Sequence, residues 1–323
     1  INQTLPNVLQ EMSSSCYHLY ISIFSKSSPY LTNNIKKTLT SEEEQKVIDK
    51  TPFHHLKITN TQILDTIEGR KICERCNKSR KFFCYSCYIP VISKEYFPTI
   101  KLPIKIDIIK HAREIDGKST AIHAAILAPE DVRIFTYPNF PEILNKEETV
   151  LIFPSPTGIP VDSLFIKKVE EDNKTITKTI KNAFPIKKAI FIDSTWHQTK
   201  TIYKDQRLRD LNCIILKSRI SQFWRHQKKS PRWYLATIEA IHQFLVELHT
   251  CAFGAVQGYA NIKHTEENST NNIIYQNVNE LPEIDQRYIG QYDDLLYFFK
   301  YMYEKIHTIY NHDKLLAYKR PLI

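Results

Sequence analysis

The apolar positions of this chain fall into short runs that alternate with amphipathic stretches. The sharpest run is Ala189-Ile190-Phe191-Ile192, β-branched and aromatic, which ends abruptly in Asp193-Ser194-Thr195-Trp196. That pattern predicts a buried parallel strand whose carboxyl end opens into a loop. Asp193 or Ser194 is then placed to cap a helix through Trp196 to about Arg207. Leu102 to Ile109 alternates apolar and polar residues and predicts a half-buried strand, and residues 132–137, 149–153 and 212–216 predict three more. Helices are predicted over 121–127, capped by Ser119 or Thr120, over 233–249, and from about Gln291 to Ile309. Strands alternating with helices predict an α/β fold with a mainly parallel sheet and flanking helices. In such sheets ligands gather where strands end and helices begin, so Asp193 marks the expected site.

The start of the chain is weakly patterned. Ser41-Glu42-Glu43-Glu44 reads as the first turn of a short helix, but residues 1–69 are expected to form a peripheral or poorly ordered arm. A small metal-binding module is expected over 70–90 and the main α/β domain over 91–323, with polar insertions near 168–183 and 258–286.

Cys73-Glu74-Arg75-Cys76 and Cys84-Tyr85-Ser86-Cys87 are two knuckles separated by seven residues, and Lys78 to Lys81 is expected to make a tight hairpin between them. Four thiolates at that spacing suit one tetrahedral structural Zn²⁺, held by Cys73, Cys76, Cys84 and Cys87. Arg75, Arg80 and Lys81 surround the module among aromatic residues, which suits phosphate contact and base stacking. A denser aromatic and basic cluster runs from Phe223 to Lys229. Gly117-Lys118-Ser119-Thr120 looks like the tail of a phosphate-binding P-loop, but Ala112 stands where that motif needs Gly, and a nucleotide triphosphatase is rejected. Pro154-Ser155-Pro156-Thr157-Gly158, after a buried strand, fixes an open loop able to hold an adenosine moiety. His123 on the helix after Thr120 is expected to be a packed histidine.

Composition narrows the partners. Forty-four Lys and Arg against 35 Asp and Glu give a formal charge of +9, which favours a polyanion such as nucleic acid. No apolar run approaches the roughly 18 residues needed to cross a bilayer, so no membrane partner is expected. Seven Cys, four of them in tight pairs, and no leader in Ile1-Asn2-Gln3-Thr4 point to reduced thiols and a nuclear or cytoplasmic location.

Several of these stretches together resemble the DTW-domain family, most closely its type-1 animal members. They are the paired Cys motifs, Lys105 to Ala124, Ile190 to Trp196, Phe223 to Lys228, Thr237 to Ala240 and Gly290 to Leu296. The resemblance covers roughly residues 70 to 310. It implies a SPOUT-like, possibly knotted sheet, and transfer of the 3-amino-3-carboxypropyl group of S-adenosylmethionine to N3 of a uridine in tRNA, in the D loop for type-1 members. Uridine N3 attacks poorly until its proton is removed, and Asp193 is the candidate general base. Leu151, Phe153, Pro154 and Ser155, with Asp193, Ser194, Thr195, Trp196, Thr237 and Glu239, are expected to line the donor pocket. Arg219, Trp224, Arg225 and Lys228 are expected to contact tRNA. Family members carry Ser where this chain has Ala236, so a hydroxyl role there does not carry over. The rival readings are a SPOUT-like tRNA methyltransferase using the same donor and a non-catalytic zinc-ribbon RNA-binding protein.

Overall fold

A computed structural model describes residues 41–171, 174–227, 230–256, 259 and 286–322. The chain opens with α1 (Ser41–Lys50) and a 3-10 turn over Thr61–Thr66. Two small antiparallel hairpins follow, β1 (Lys71–Ile72) with β2 (Ser79–Arg80) and β3 (Phe83–Cys84) with β4 (Ile89–Pro90). Next come β5 (Lys105–Lys110), α2 (Ala121–Leu127), β6 (Val132–Thr136), β7 (Thr149–Ile152) and β8 (Ile159–Pro160). A hairpin of β9 (Ile166–Glu171) and β10 (Lys174–Thr179) leads into β11 (Lys188–Asp193), α3 (Trp196–Tyr203), α4 (Gln206–Arg209) and β12 (Asn212–Ile215). The long helix α5 (Thr237–Phe253) and α6 (Tyr297–Ile309), entered through a 3-10 turn over Asp293–Leu296, are the last helices before a 3-10 turn over His312–Lys314.

Six strands form one sheet in the order β6-β5-β11-β7-β12-β8, and every pairing in it is parallel. Residue alternation sorts its side chains into two cores. Ile106, Ile108, Ala189 and Phe191 join the larger core with α2, α5 and α6. Ile109, Leu151 and Ile190 join a smaller one with Ile202 of α3 and Leu208 of α4. Asp193 is an odd-numbered position of β11, so it follows Ala189 and Phe191 onto the face of the long helix. The chain leaves β5 toward β6 and leaves β11 toward β12, in opposite directions. The crevice between the carboxyl ends of β5 and β11 is therefore a topological switch point, where open α/β sheets bind ligands.

The sheet and helix α2 match expectation; several details do not. Residues 41–69 are no peripheral arm: Phe53, Leu64 and Ile67 are buried in the larger core, while residues 1–40 lie outside the described residues. Strand β5 is buried on both faces, because its one polar interior residue, Asp107, is neutralised by a forked bond from Arg133 (2.9 and 3.0 Å). The predicted helix to Arg207 breaks after Tyr203, and the helix predicted from Trp233 starts at Thr237. The polar insertion near 168–183 folds as the β9–β10 hairpin. The insertion near 258–286 lies almost wholly outside the described residues. No helix among the described residues is long and apolar enough to cross a membrane.

His123 is packed, as expected, with its ring centroid 5.7 Å from that of Phe83 and 6.0 Å from that of Phe298. Its Nδ1 has no partner, and burial pushes its pKa down from 6.5 to about 3. Below pH 6.5 the unfolded chain binds a proton there that the folded chain refuses, so stability falls as pH drops through that window. At pH 5 this histidine is expected to remove about 2 kcal/mol relative to neutral pH. His123→Phe should lose that share of the pH dependence in urea unfolding. An unchanged dependence in the variant would refute the assignment.

Candidate active site at the carboxyl edge of the sheet

Asp193 closes β11 and is 4% exposed. Ser119, on the loop after β5, donates to its Oδ2 at 2.7 Å, and Thr237, the first residue of α5, donates to its Oδ1 at 2.6 Å. Burial drives the Asp193 pKa up; the two hydroxyl bonds and the charge of Lys110 pull it back, and the net shift is upward. Ser119 and Thr237 are half-buried, whereas the carboxylate that accepts from them is buried. Glu114, half-buried on the same loop, is also shifted upward, by burial and by the nearby Asp193 charge. A carboxyl that accepts from two hydroxyls can take up a proton passed through either of them. Ser119 and Glu114 escaped the sequence reading of this site; a Ser in a Gly-containing loop after a strand was the available signal.

The cap of α3 falls on Thr195, not on Asp193 or Ser194: the Thr195 N–H donates to the Gln198 side chain at 3.2 Å. This leaves Asp193 free for the hydroxyls. Ser194 shares a hydrogen bond with Thr199 at 2.7 Å. Trp196 begins α3, but its side chain lies outside the described residues. On the β7 side, Leu151 is fully buried in the smaller core. Phe153 stacks on Tyr203 at 4.3 Å, and the buried Ser155 lies within hydrogen-bonding distance of Tyr203 (3.3 Å) and Thr157 (3.2 Å), with Pro154 half-buried between them. A Cβ at Gly158 would stand 2.7 Å from Ile215, so this loop is pressed against β12 as only glycine allows.

Glu239 is buried and committed to its own chain. It accepts from the Ser221 hydroxyl (2.6 Å) and the N–H groups of Gln222 (2.7 Å) and Ala236 (2.8 Å). Four residues on, Gln243 accepts from Arg219 (3.4 Å), and four further, Glu247 accepts from the Lys217 N–H (3.0 Å). One face of α5 therefore grips the whole 217–222 segment, a role that spacing alone did not reveal. Glu239 also supplies the acceptor half of a capping box at Ala236, where the other half has no side-chain oxygen.

The four knuckle sulfurs lie within 4.8 Å of one another, and Cys76 and Cys84 approach to 3.5 Å. Tetrahedral thiolates at a Zn–S distance of about 2.3 Å stand about 3.8 Å apart, so the donor set fits zinc. The two knuckles share one turn: the N–H of Asn77 donates to Cys73 O and that of Tyr88 to Cys84 O, each at 2.8 Å. Asn77 and Tyr88 sit at φ 56° and 58°. A bulky Tyr in that left-handed region is uncommon, which marks the turn as imposed by the knuckle. The hairpins therefore form around the knuckles, not between them as the sequence suggested.

The DTW domain family profile matches residues 81–307. The chain is 38% identical over 79% of its length to tRNA-uridine aminocarboxypropyltransferase 1 of Xenopus tropicalis, covering 86% of that protein. It is 37% identical over 88% of its length to the Homo sapiens protein of the same name, covering 93% of it. The chain belongs to the DTW-domain family. No solved structure matches it.

Within this DTW-domain chain the expected RNA contacts divide. Arg75, Lys81 and Arg225 are exposed and Arg219 is half-buried. Arg80 is not at the surface: it is 7% exposed, with its guanidinium 3.8 Å over the Tyr85 ring. Trp224 is also buried, its centroid 5.1 Å from that of Phe299, so its ring is not offered to a base. Lys228 lies outside the described residues. Basic and aromatic composition identified the cluster but could not say which way each side chain turns.

Proposed function

We propose that this chain transfers the 3-amino-3-carboxypropyl group of S-adenosylmethionine to N3 of a uridine in tRNA. One observation carries the reading: a buried strand-end carboxylate with two half-exposed hydroxyls, at the switch point of a parallel sheet. It occurs in a chain 37% identical to a tRNA-uridine aminocarboxypropyltransferase over nearly its full length. The N3 proton would leave through Ser119 or Thr237 to Asp193 as N3 bonds the γ-carbon of the methionyl group. The C–S bond breaks, its electron pair stays on sulfur, and methylthioadenosine departs. Orientation of the sulfonium decides which carbon is attacked, so positioning is the main task of the site.

The Phe153–Gly158 loop, Ser194 and Thr195 flank the same edge of the sheet and are our donor-binding residues, with Trp196 carried over from the family resemblance. Arg75, Lys81, Arg219 and Arg225 are our tRNA contacts, supported by the exposure of Arg75, Lys81 and Arg225 and by the net charge of +9. Cys73, Cys76, Cys84 and Cys87 would hold a structural zinc ion. A D-loop uridine and a SPOUT-like chain path complete the reading and rest on the resemblance, and a nuclear or cytoplasmic site of action rests on the paired, reduced cysteines.

The deciding experiment incubates unmodified tRNA with the protein and S-adenosylmethionine and analyses the digested nucleosides and by-products by mass spectrometry. One aminocarboxypropyl group on uridine together with methylthioadenosine is expected. Methylated tRNA with S-adenosylhomocysteine would replace the proposal with methyl transfer. Bound but unmodified tRNA would leave a binding module.

A further inference from the structure

The four-cysteine module is more than an appended knuckle. Its second half, between Cys84 and Cys87, touches the loop that carries Ser119. The Ser86 hydroxyl donates to Asp116 Oδ2 at 3.0 Å, and the other Asp116 oxygen pairs with the Lys110 ammonium. The Lys110 side chain is 8% exposed, so this ion pair is largely withdrawn from water on the lysine side. Lys110 ends β5 directly opposite Asp193 in the sheet register. Beside it, the Tyr85 ring lies 3.6 Å from where a Cβ at Gly117 would stand, and the Arg80 guanidinium lies 3.8 Å over the same ring. Two residues further on, Ser119 donates to Asp193.

We propose that Ser86 and Asp116 are positioning residues, latching the metal-binding knuckle to the 111–119 loop and so holding the Ser119 hydroxyl against Asp193. The physical reason is local. Loop 111–119 is kept by few other long-range bonds: Arg225 donates to Gly117 O at 3.3 Å, and the His111 N–H donates to Asp193 O at 3.0 Å. An exposed loop with so few anchors opens readily unless something rigid holds it. A zinc-closed knuckle is rigid, because four ligands fix its backbone. Zinc at the cysteines thus bears on the Asp193 cluster through this latch, without touching a substrate.

The test uses the full-length, zinc-loaded chain and the variants Ser86→Ala and Ser86→Thr, the latter keeping the hydroxyl. Zinc content, hydrogen exchange of the 111–119 amides and single-turnover transfer are measured on each. Ser86→Ala should retain one zinc per chain and exchange the 111–119 amides about tenfold faster, as expected for losing a hydrogen bond to a charged group. Exchange in β7 and β12 should not change, and Ser86→Thr should restore protection. The maximal transfer rate should fall several-fold in Ser86→Ala with tRNA affinity kept. Unchanged exchange in 111–119, a rise spread evenly over the sheet, or loss of zinc would each overturn the latch. The rate readout alone rests on the proposed function: faster exchange at an unchanged rate would uphold the latch and remove the Asp193 cluster from the reaction.

Discussion

Replacing Asp193 by Asn should cut aminocarboxypropyl transfer by about 10²- to 10⁴-fold, the range for loss of a general base, with thermal stability close to wild type. Stability should hold because both partners are hydroxyls. An Asn amide can accept from one and donate to the other once that hydroxyl turns its hydrogen elsewhere. The proton acceptor must be ionised to act, so the wild-type single-turnover rate should rise with pH through the Asp193 pKa. That pKa is raised by burial, so the acid limb should lie above the ordinary carboxylate range. The variant should lack the limb. A variant that transfers within a few-fold of wild type, with its limb intact, would move the proton to another acceptor, Glu114 on the same loop as Ser119 being the alternative.

A second large effect is expected far from the chemistry. Arg232 grips Asp49 with two bonds of 2.7 and 2.9 Å, and the side chains are 3% and 2% exposed. Gln45 and Gln222 donate to the same carboxylate. Burial pushes the Asp49 pKa up, but Arg232 and the two amides together outweigh it and the net shift is downward. Asp49→Ala leaves an uncompensated guanidinium in the interior and should destabilise the chain by about 3–5 kcal/mol in urea unfolding. Replacing both partners by apolar residues of similar volume should recover most of that loss. The pair's contribution is present above the unfolded carboxyl pKa of 3.8 and is lost as pH falls through the depressed folded value. A loss below about 1 kcal/mol for the single variant would return residues 41–69 to the status of a loose arm.

What could be read from the sequence was what depends on neighbours in the chain. Strand β11 announced itself through four adjacent apolar residues, and α2 through its own short pattern. The knuckles were legible because all four ligands fall within one short stretch. The site was legible only in part. Ser119 and Thr237 lie 74 and 44 residues from Asp193 and meet it only once the sheet has ordered its strands. Ser119 was taken as a helix cap alone, and it does accept from the Ala121 N–H at 3.2 Å, so a single hydroxyl serves two purposes. Arg80 and Trp224 misled for the opposite reason: local composition places a residue near a surface without saying which way it turns. The N-terminal stretch misled because its buried apolar residues are few, with Phe53 well apart from Leu64 and Ile67, too few to sustain a period.

Asp193 reaches the long helix because an odd count along β11 sets its side. Gain or loss of a single residue between Lys188 and Asp193 would turn the carboxylate toward the smaller core and away from Ser119 and Thr237. Evolution can therefore substitute within this strand but cannot lengthen it by one. The β9–β10 hairpin just upstream pairs only with itself and carries no such parity. Length differences among descendants of this chain should accumulate in that hairpin and spare the strand that follows.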